Sequence, residues 1–313
     1  MRQLIAFNVP NVLAALVCFF ANQMAWSQVT PAPAPVGAPP SLDEVTVIAP
    51  RPPTPSQLAG DSVERFVTSH SLPLDTSTGQ LAHWKEAICV ETTGLSPAFN
   101  DFVSARIEAI AAAVKAPLQA RKPCRPNVEI IFTTKPREFI DEQVKSDPNI
   151  LGFHYMAQIK KLKTIDHPIQ AWHVTGREAD GSLGGLMVDG VWGGFMINQT
   201  TRLATRLKIG VRSYILSTLV LVDGNKVMGY PIGAISDYIA MLTLSQMRLT
   251  DGCGVLPSIL DLMAANCTRE KSQSITAADL AYLQSLNTVG QEVDYSMQKM
   301  AIEVKMRNQF AGR

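Results

Sequence analysis

The sequence predicts an α+β domain of about 250 residues, with a mixed sheet of about four to six strands and an all-helical C-terminal part. Three observations predict this fold class. Short β-prone segments alternate with helical patterns in the first half of the domain, whereas only helical patterns occur after residue 231. The first 56 residues contain no pattern typical of a packed core, so we expect one globular domain over residues 57–313.

The first 27 residues have the three parts of a secretory signal peptide. Arg2 supplies a positive charge, and residues 12–21 form a short apolar run. Ala25 and Ser27 then place small side chains at the two positions that a signal peptidase recognises. The apolar run is shorter than the roughly 20 residues of a spanning helix, so no transmembrane segment is expected after cleavage. Lipidation of Cys18 is an alternative, although the bulky Val17 before it disfavours this. We therefore expect a periplasmic or secreted protein.

Net charge argues against two classes of partner. Removing the signal peptide leaves 313 − 27 = 286 residues, and Arg2 is the only charged residue lost, so 28 − 1 = 27 basic residues face 27 acidic ones. A chain with zero net charge has no basic excess for nucleic acid or for an anionic membrane. The sequence therefore predicts no nucleic-acid partner.

Residues 28–56 form a proline-rich segment that is too poor in apolar residues to build a core, so we expect a disordered tether. One island without internal proline, residues 43–49 followed by Pro50 and Arg51, interrupts it. This island resembles the TonB box of outer-membrane receptors, which implies a free strand that adds to the sheet of an envelope partner. A β-prone piece of linker is the alternative. The residues that carry the resemblance are Glu44, Val45, Val47 and Ala49.

Four cysteines remain after signal cleavage, and an even number in an exported chain predicts two disulfides with three possible connectivities. We favour Cys89–Cys124, because a β-α-β crossover brings the starts of two parallel strands to the same end of the sheet. We likewise favour Cys253–Cys267, because these two residues bracket one short helix.

The first half of the domain begins with a short helix over residues 57–69. Two segments rich in β-branched residues, 87–92 and 128–133, predict strands. Between them, Ser96 followed by Pro97 starts a helix that continues to about Lys115, with apolar residues at helical spacing.

The middle of the domain is predicted to contain a helix over 136–144 and strands over 167–175 and 212–222. Six glycines in residues 180–194 indicate a loop or a loose hairpin. After the strand over 212–222, the sequence Asp223-Gly224-Asn225 predicts a hairpin turn that leads into a short partner strand ending near Met228.

The remaining elements are helices. Pro231 starts a helix that is apolar nearly all round and is therefore expected to be buried. Further helices are predicted over 255–266, 276–287 and about 291–310. Thr276 and Asp279 have the spacing of a capping box at the start of the second of these.

Two resemblances bear on the domain as a whole. Residues 124–136, 168–172 and 237–246 resemble an uncharacterised family of exported bacterial proteins, which implies an exported setting and no mechanism. The order of strand, hairpin and buried helix is similar to the layout of zincin-type metalloproteases. The helix after Pro231 lacks both metal-binding histidines and the catalytic glutamate, so this resemblance implies a metal-free relative.

The sequence contains no recognisable catalytic or metal-binding motif. The chain contains no G-x-S-x-G elbow, since Gly233–Asp237 has Ile235 at the serine position and Asp237 at the last one, and none of the five histidines lies in H-E-x-x-H. No cofactor and no metal site are predicted. Asp237, beside Ser236 in the most apolar helix, is the most unusual polar residue, because burying a carboxylate is costly unless it is paired. A structural hydrogen-bond centre is favoured over a functional carboxylate.

These observations favour a non-catalytic binding or accessory module of the cell envelope, held by its tether. The alternatives are a hydrolase with a dispersed site and a structural envelope protein without a small ligand. The hydrolase would use Asp237, Glu91 and either His167 or His173, with Ser236 as a further candidate. His167 and His173 would share one strand at a separation of roughly 20 Å, too far apart for a common metal.

Overall fold

A computed structural model gives the fold of the domain. It describes residues 51, 53–54, 57–58, 61–73, 79–119, 123–147, 150–151, 156–179, 186–188 and 210–311. The predicted signal peptide, residues 43–50 of the island that resembles a TonB box, and most of the predicted tether lie outside these residues.

The described residues form a mixed sheet, and the predicted α+β class is confirmed. Its strands are β1 (His83–Trp84), β2 (Val90–Thr93), β3 (Val128–Thr133), β4 (Ile169–Ala179), β5 (Leu186–Val188) and β6 (Val211–Asp223). The spatial order is β2-β3-β6-β4-β5, with β1 beside β6. Strands β1, β2, β3 and β6 are parallel, and β4 runs antiparallel to both β5 and β6.

Strands β2 and β3 and helix α2 (Pro97–Ala113) form the predicted β-α-β unit, in which the two strands are parallel. Strand β3 has the predicted bounds, whereas β2 begins three residues later than expected. The disulfide Cys89–Cys124 closes this unit, which confirms the favoured pairing. Gly94, at φ +94°, makes the tight turn out of β2, and a Cβ there would lie 2.0 Å from the carbonyl oxygen of Phe132. Only glycine fits this position.

Helices cover both faces of the sheet. On one face, α2 and the C-terminal helices bury a large apolar core that includes Ile107, Val220 and Ile239. On the other face, helix α3 (Pro136–Ser146) packs Ile140 into a smaller cluster with Trp172 and two leucines of β6. Helices α1 (Ser62–His70) and α4 (Met156–Leu162) complete the first half.

The predicted hairpin after β6 is wrong. Asp223 accepts a hydrogen bond from the amide of Asn225 (3.1 Å) and caps a single helical turn, α5 (Gly224–Val227). The Asn225 side chain also donates to the carbonyl of Thr134 (2.8 Å), which holds the chain against the end of β3. An Asp-Gly-Asn sequence suits either turn, and the capping bonds decide between them. In the glycine-rich segment, β5 pairs with β4, in agreement with the hairpin alternative.

The C-terminal part is helical as predicted, with α6 (Ile232–Leu244), α7 (Ala277–Thr288) and α8 (Tyr295–Ala311). Helix α6 is buried around most of its circumference, and the Thr276–Asp279 capping box at α7 is confirmed. The predicted helix over 255–266 is wrong, since only a 3-10 helix, Ile259–Met263, forms there. The side chains of Ser258 and Asp261 cap it, and Cys253–Cys267 closes the loop around it, which confirms the second predicted disulfide.

The length and composition of the helices bear on whether the chain has a transmembrane segment. Within the described residues, no helix is both long and apolar enough to cross a membrane.

Candidate functional site

Asp237 lies on α6 with a fully buried side chain that contacts two other elements. Arg106 of α2 donates from Nε to Oδ1 (2.7 Å) and from Nη2 to Oδ2 (3.0 Å). The backbone amide of Ile275, just before α7, also donates to Oδ2 (2.7 Å). This bidentate ion pair and the amide bond satisfy both carboxylate oxygens, and they join α2, α6 and the start of α7.

Ser236 is also fully buried, and its hydroxyl donates to the carbonyl of Ile232 one turn earlier (2.8 Å). This bond is the usual way in which a serine inside a helix satisfies its hydroxyl. The geometry therefore gives Ser236 a local structural partner on its own helix.

The two predicted histidines occupy different environments. His173 lies on β4, and its Nε2 is 2.8 Å from the carbonyl oxygen of Leu242 on α6. Desolvation lowers the pKa of His173 to about 4, and the bond to Leu242 opposes this shift only in part. His167 precedes β4, which begins at Ile169, so the prediction that both histidines share one strand is wrong.

Glu91 is exposed on β2, at the opposite side of the sheet from His173. Strands β3 and β6 separate β2 from β4, and strands lie about 4.8 Å apart, so the two residues are roughly 14 Å apart across the sheet. The sequence-predicted candidates are therefore not assembled into one cluster by the described geometry. Their catalytic roles stay predictions.

Sequence reasoning missed Arg106 as the partner of Asp237. The arginine stands 131 residues away in the chain and beside the apolar face of α2, next to the buried Ile107. A charged residue at the border of an apolar helical face was the one available signal, and it does not identify a partner.

A second buried carboxylate, Asp279, organises the chain before α7. It accepts from the Ser258 hydroxyl (2.6 Å), the amide of Ile259 (2.8 Å), and both the amide and hydroxyl of Thr276 (2.9 Å each). Burial raises the pKa of Asp279, and these four donors act against that rise. The capping box was predicted, but its burial and its link to Ser258 were not.

Two surface grooves lie among the described residues close to these side chains. One, of about 360 Å³, is lined by Arg51, Pro53 and Thr54 on one side and by residues 272–278 on the other. The second, of about 390 Å³, lies between the edge strand β2 and helix α2.

Among the described residues, no group of three or more His, Cys, Asp and Glu side chains is placed to hold a metal ion. Comparisons with protein-family models, with curated proteins and with solved structures gave no match. The resemblances to an exported bacterial family and to the zincin layout stay predictions.

Proposed function

We propose that this chain is an exported accessory or binding module of the cell envelope, and that segment 43–51 docks on a partner protein. The observation that carries the proposal is where the chain is anchored. Arg51, Pro53 and Thr54, which follow directly after the strand-like island, line one side of a groove whose other side is formed by residues 272–278.

The anchor is built from local contacts. The Thr54 amide donates to the Gln57 side chain (2.7 Å), and the Gln57 amide donates back to the Thr54 hydroxyl (3.3 Å). Leu58 donates its amide to the Thr54 carbonyl (3.1 Å) and packs against the main core. The chain is therefore held to the domain at Leu58, and the local bonds of Thr54 lead from this point towards the island.

A fixed exit point suits a short docking strand. Residue 44 is seven residues before Arg51, and an extended chain covers about 3.3 Å per residue. An extended island would therefore reach roughly 23 Å beyond Arg51. An extended segment of Glu44, Val45, Val47 and Ala49 with its intervening residues can add to a partner's sheet edge through backbone hydrogen bonds.

The disulfides support the exported setting. Cys89–Cys124 and Cys253–Cys267 are both formed. Such bonds persist in oxidising compartments and are rare in the cytosol. A location in the periplasm or outside the cell, after signal cleavage, is part of the same proposal.

The test is site-specific photo-crosslinking in the native host. A photoreactive amino acid at Val47 should give a discrete adduct with one envelope protein, whereas the same probe at Val36, in the proline-rich stretch before the island, should not. Deleting residues 41–50 should abolish co-purification of that protein and leave the melting temperature unchanged, because the deletion stops before Arg51. Equal adduct patterns from Val47 and Val36, or full partner capture by the deletion variant, would rule out the docking role.

A further inference from the structure

The two residues just before β2, Ile88 and Cys89, show which way the backbone groups of the strand point. The carbonyl of Cys89 accepts from the amide of Val128 on β3 (3.1 Å). The neighbouring Ile88 bonds in the other direction, donating to the Pro117 carbonyl (2.8 Å) and accepting from the Gln119 amide (3.0 Å). Odd-numbered residues of this strand therefore pair with β3, and even-numbered residues face outward, as alternation in a parallel ladder requires.

By the same alternation, the amide and carbonyl groups of Val90 and Thr92 point away from β3. The two residues line the groove beside α2 and are 5% and 7% exposed, so the groove is the route by which another chain would reach them. Beyond the single bridge from Ile88 to Leu118, no described strand pairs with β2 on this side. An edge of this kind is a template for pairing with another extended chain.

Helix α2 forms a wall beside this edge. Asn100, Asp101, Ser104 and Ala105 line the groove of about 390 Å³ together with Val90, Glu91 and Thr92. The hydroxyls of Thr92 and Ser104 are hydrogen-bonded to each other (2.8 Å), which fixes the helix against the strand. Asn100 bonds both the amide and the carbonyl of Leu95 (3.2 Å each), which holds the loop at the end of the groove.

The charge of the groove identifies its complement. Glu91 and Asp101 are both exposed, and no ion pair to either carboxylate is present in the described part of the chain. Glu129 does not line the groove, but it stands directly beside Glu91 in register on β3 and adds a third negative charge next to it. A bound segment that carries Lys or Arg would relieve this repulsion.

The geometry points to β2 and its groove as a binding site for an extended segment of a partner protein that carries Lys or Arg and adds to the sheet as a further strand. Backbone bonds to Val90 and Thr92 supply affinity, and the acidic side chains select basic residues. Segment 43–51 is a poor complement to this groove, because its own Asp43 and Glu44 would place like charges against Glu91 and Asp101.

The probe is a phage-displayed library of random 12-residue peptides, selected on the full-length protein. We expect enrichment of β-branched sequences with Lys or Arg. The selected peptide, measured by fluorescence anisotropy, should bind the double variant Glu91→Lys with Asp101→Lys at least about tenfold more weakly. Glu142→Lys, an exposed carboxylate on α3 across the sheet, is the matched control and should bind unchanged.

Amide hydrogen exchange then tests strand addition itself. Peptide binding should increase protection of the Val90 and Thr92 amides and leave Glu91 unchanged, since the Glu91 amide faces β3. Equal loss of affinity in Glu142→Lys, protection elsewhere but not at Val90 and Thr92, or enrichment of acidic peptides would overturn the proposal. Binding of a synthetic peptide of residues 41–52 at Val90 and Thr92 would also overturn it, by making the chain itself the occupant. None of these outcomes depends on the Val47 crosslink, so the two proposals fail separately.

Discussion

The buried pair of Arg106 and Asp237 makes a quantitative prediction about stability. The Asp237 side chain is fully buried and that of Arg106 is 12% exposed, so removing either partner leaves a charge largely out of water. Breaking such a pair costs about 3–5 kcal/mol. We expect the loss for Asp237→Asn near the lower end of this range, because the oxygen of the asparagine side chain still accepts from the Ile275 amide. The loss for Arg106→Met should lie near the upper end, because the buried Asp237 carboxylate keeps its charge without its partner.

A double-mutant cycle separates the pair from its surroundings. If the two single losses are about 3 and about 4 kcal/mol, the double variant should lose much less than their sum, with a coupling of about 2 kcal/mol or more. Urea unfolding followed by circular dichroism, with the disulfides intact and the m-value checked for constancy, measures each corner of the cycle. The exposed pair Lys135–Glu138 serves as control and should show no resolvable coupling. A free energy of unfolding of Asp237→Asn within error of wild type would refute the argument.

Two further predictions concern stability. The pKa of both His83 and His173 is lowered by burial from 6.5 to about 4, so the unfolded chain binds more protons between these values. The contribution of each histidine to the free energy of unfolding should therefore be constant above about pH 6.5 and fall by up to about 3 kcal/mol as pH drops to about 4, whereas the raised pKa of Asp279 acts in the opposite direction. Urea titrations of wild type and of His173→Gln over this window isolate the histidine contribution, and equal slopes with pH for the two proteins would contradict the prediction. Gly94→Ala should lower the free energy of unfolding by at least about 2 kcal/mol, because its Cβ would overlap the Phe132 carbonyl. Gly233→Ala, which has open space around it in α6, should leave the free energy of unfolding unchanged or raise it by a few tenths of a kcal/mol. Thermal melts of both variants test this, and equal melting temperatures would contradict the strain argument.

Local signals in the sequence predicted much of the fold. Strand β3 has the predicted bounds because its β-branched run lies between a polar residue and a proline-bounded helix, and the apolar composition of α6 predicted its burial. Where two local structures were compatible with one sequence, bonds from other parts of the chain decided. The segment after β6 became a helical turn through Asp223 and Asn225, and the segment 255–266 became a 3-10 helix through Ser258 and Asp261.

The candidate site was harder to predict than the fold for the same reason. Asp237 could be identified from sequence as a carboxylate that needs a partner, but the partner depends on how α2 packs on α6. The β2 groove depends on which strand ends the sheet, and strand order is set by packing rather than by any short pattern. Both features are long-range, and neither leaves a recognisable spacing in the chain.

The disulfides have a consequence for how the chain matures. Each bond joins cysteines that are neighbours in the chain after residue 28, separated by 35 and by 14 residues. Four thiols can pair in three ways, so random oxidation would give this pairing in roughly one case in three. If the chain is exported N-terminus first, as the proposed setting implies, Cys89 and Cys124 reach the oxidising compartment before Cys253 and Cys267, which are then left to pair with each other. Oxidative maturation in this order needs an electron acceptor and no reshuffling of wrongly paired thiols.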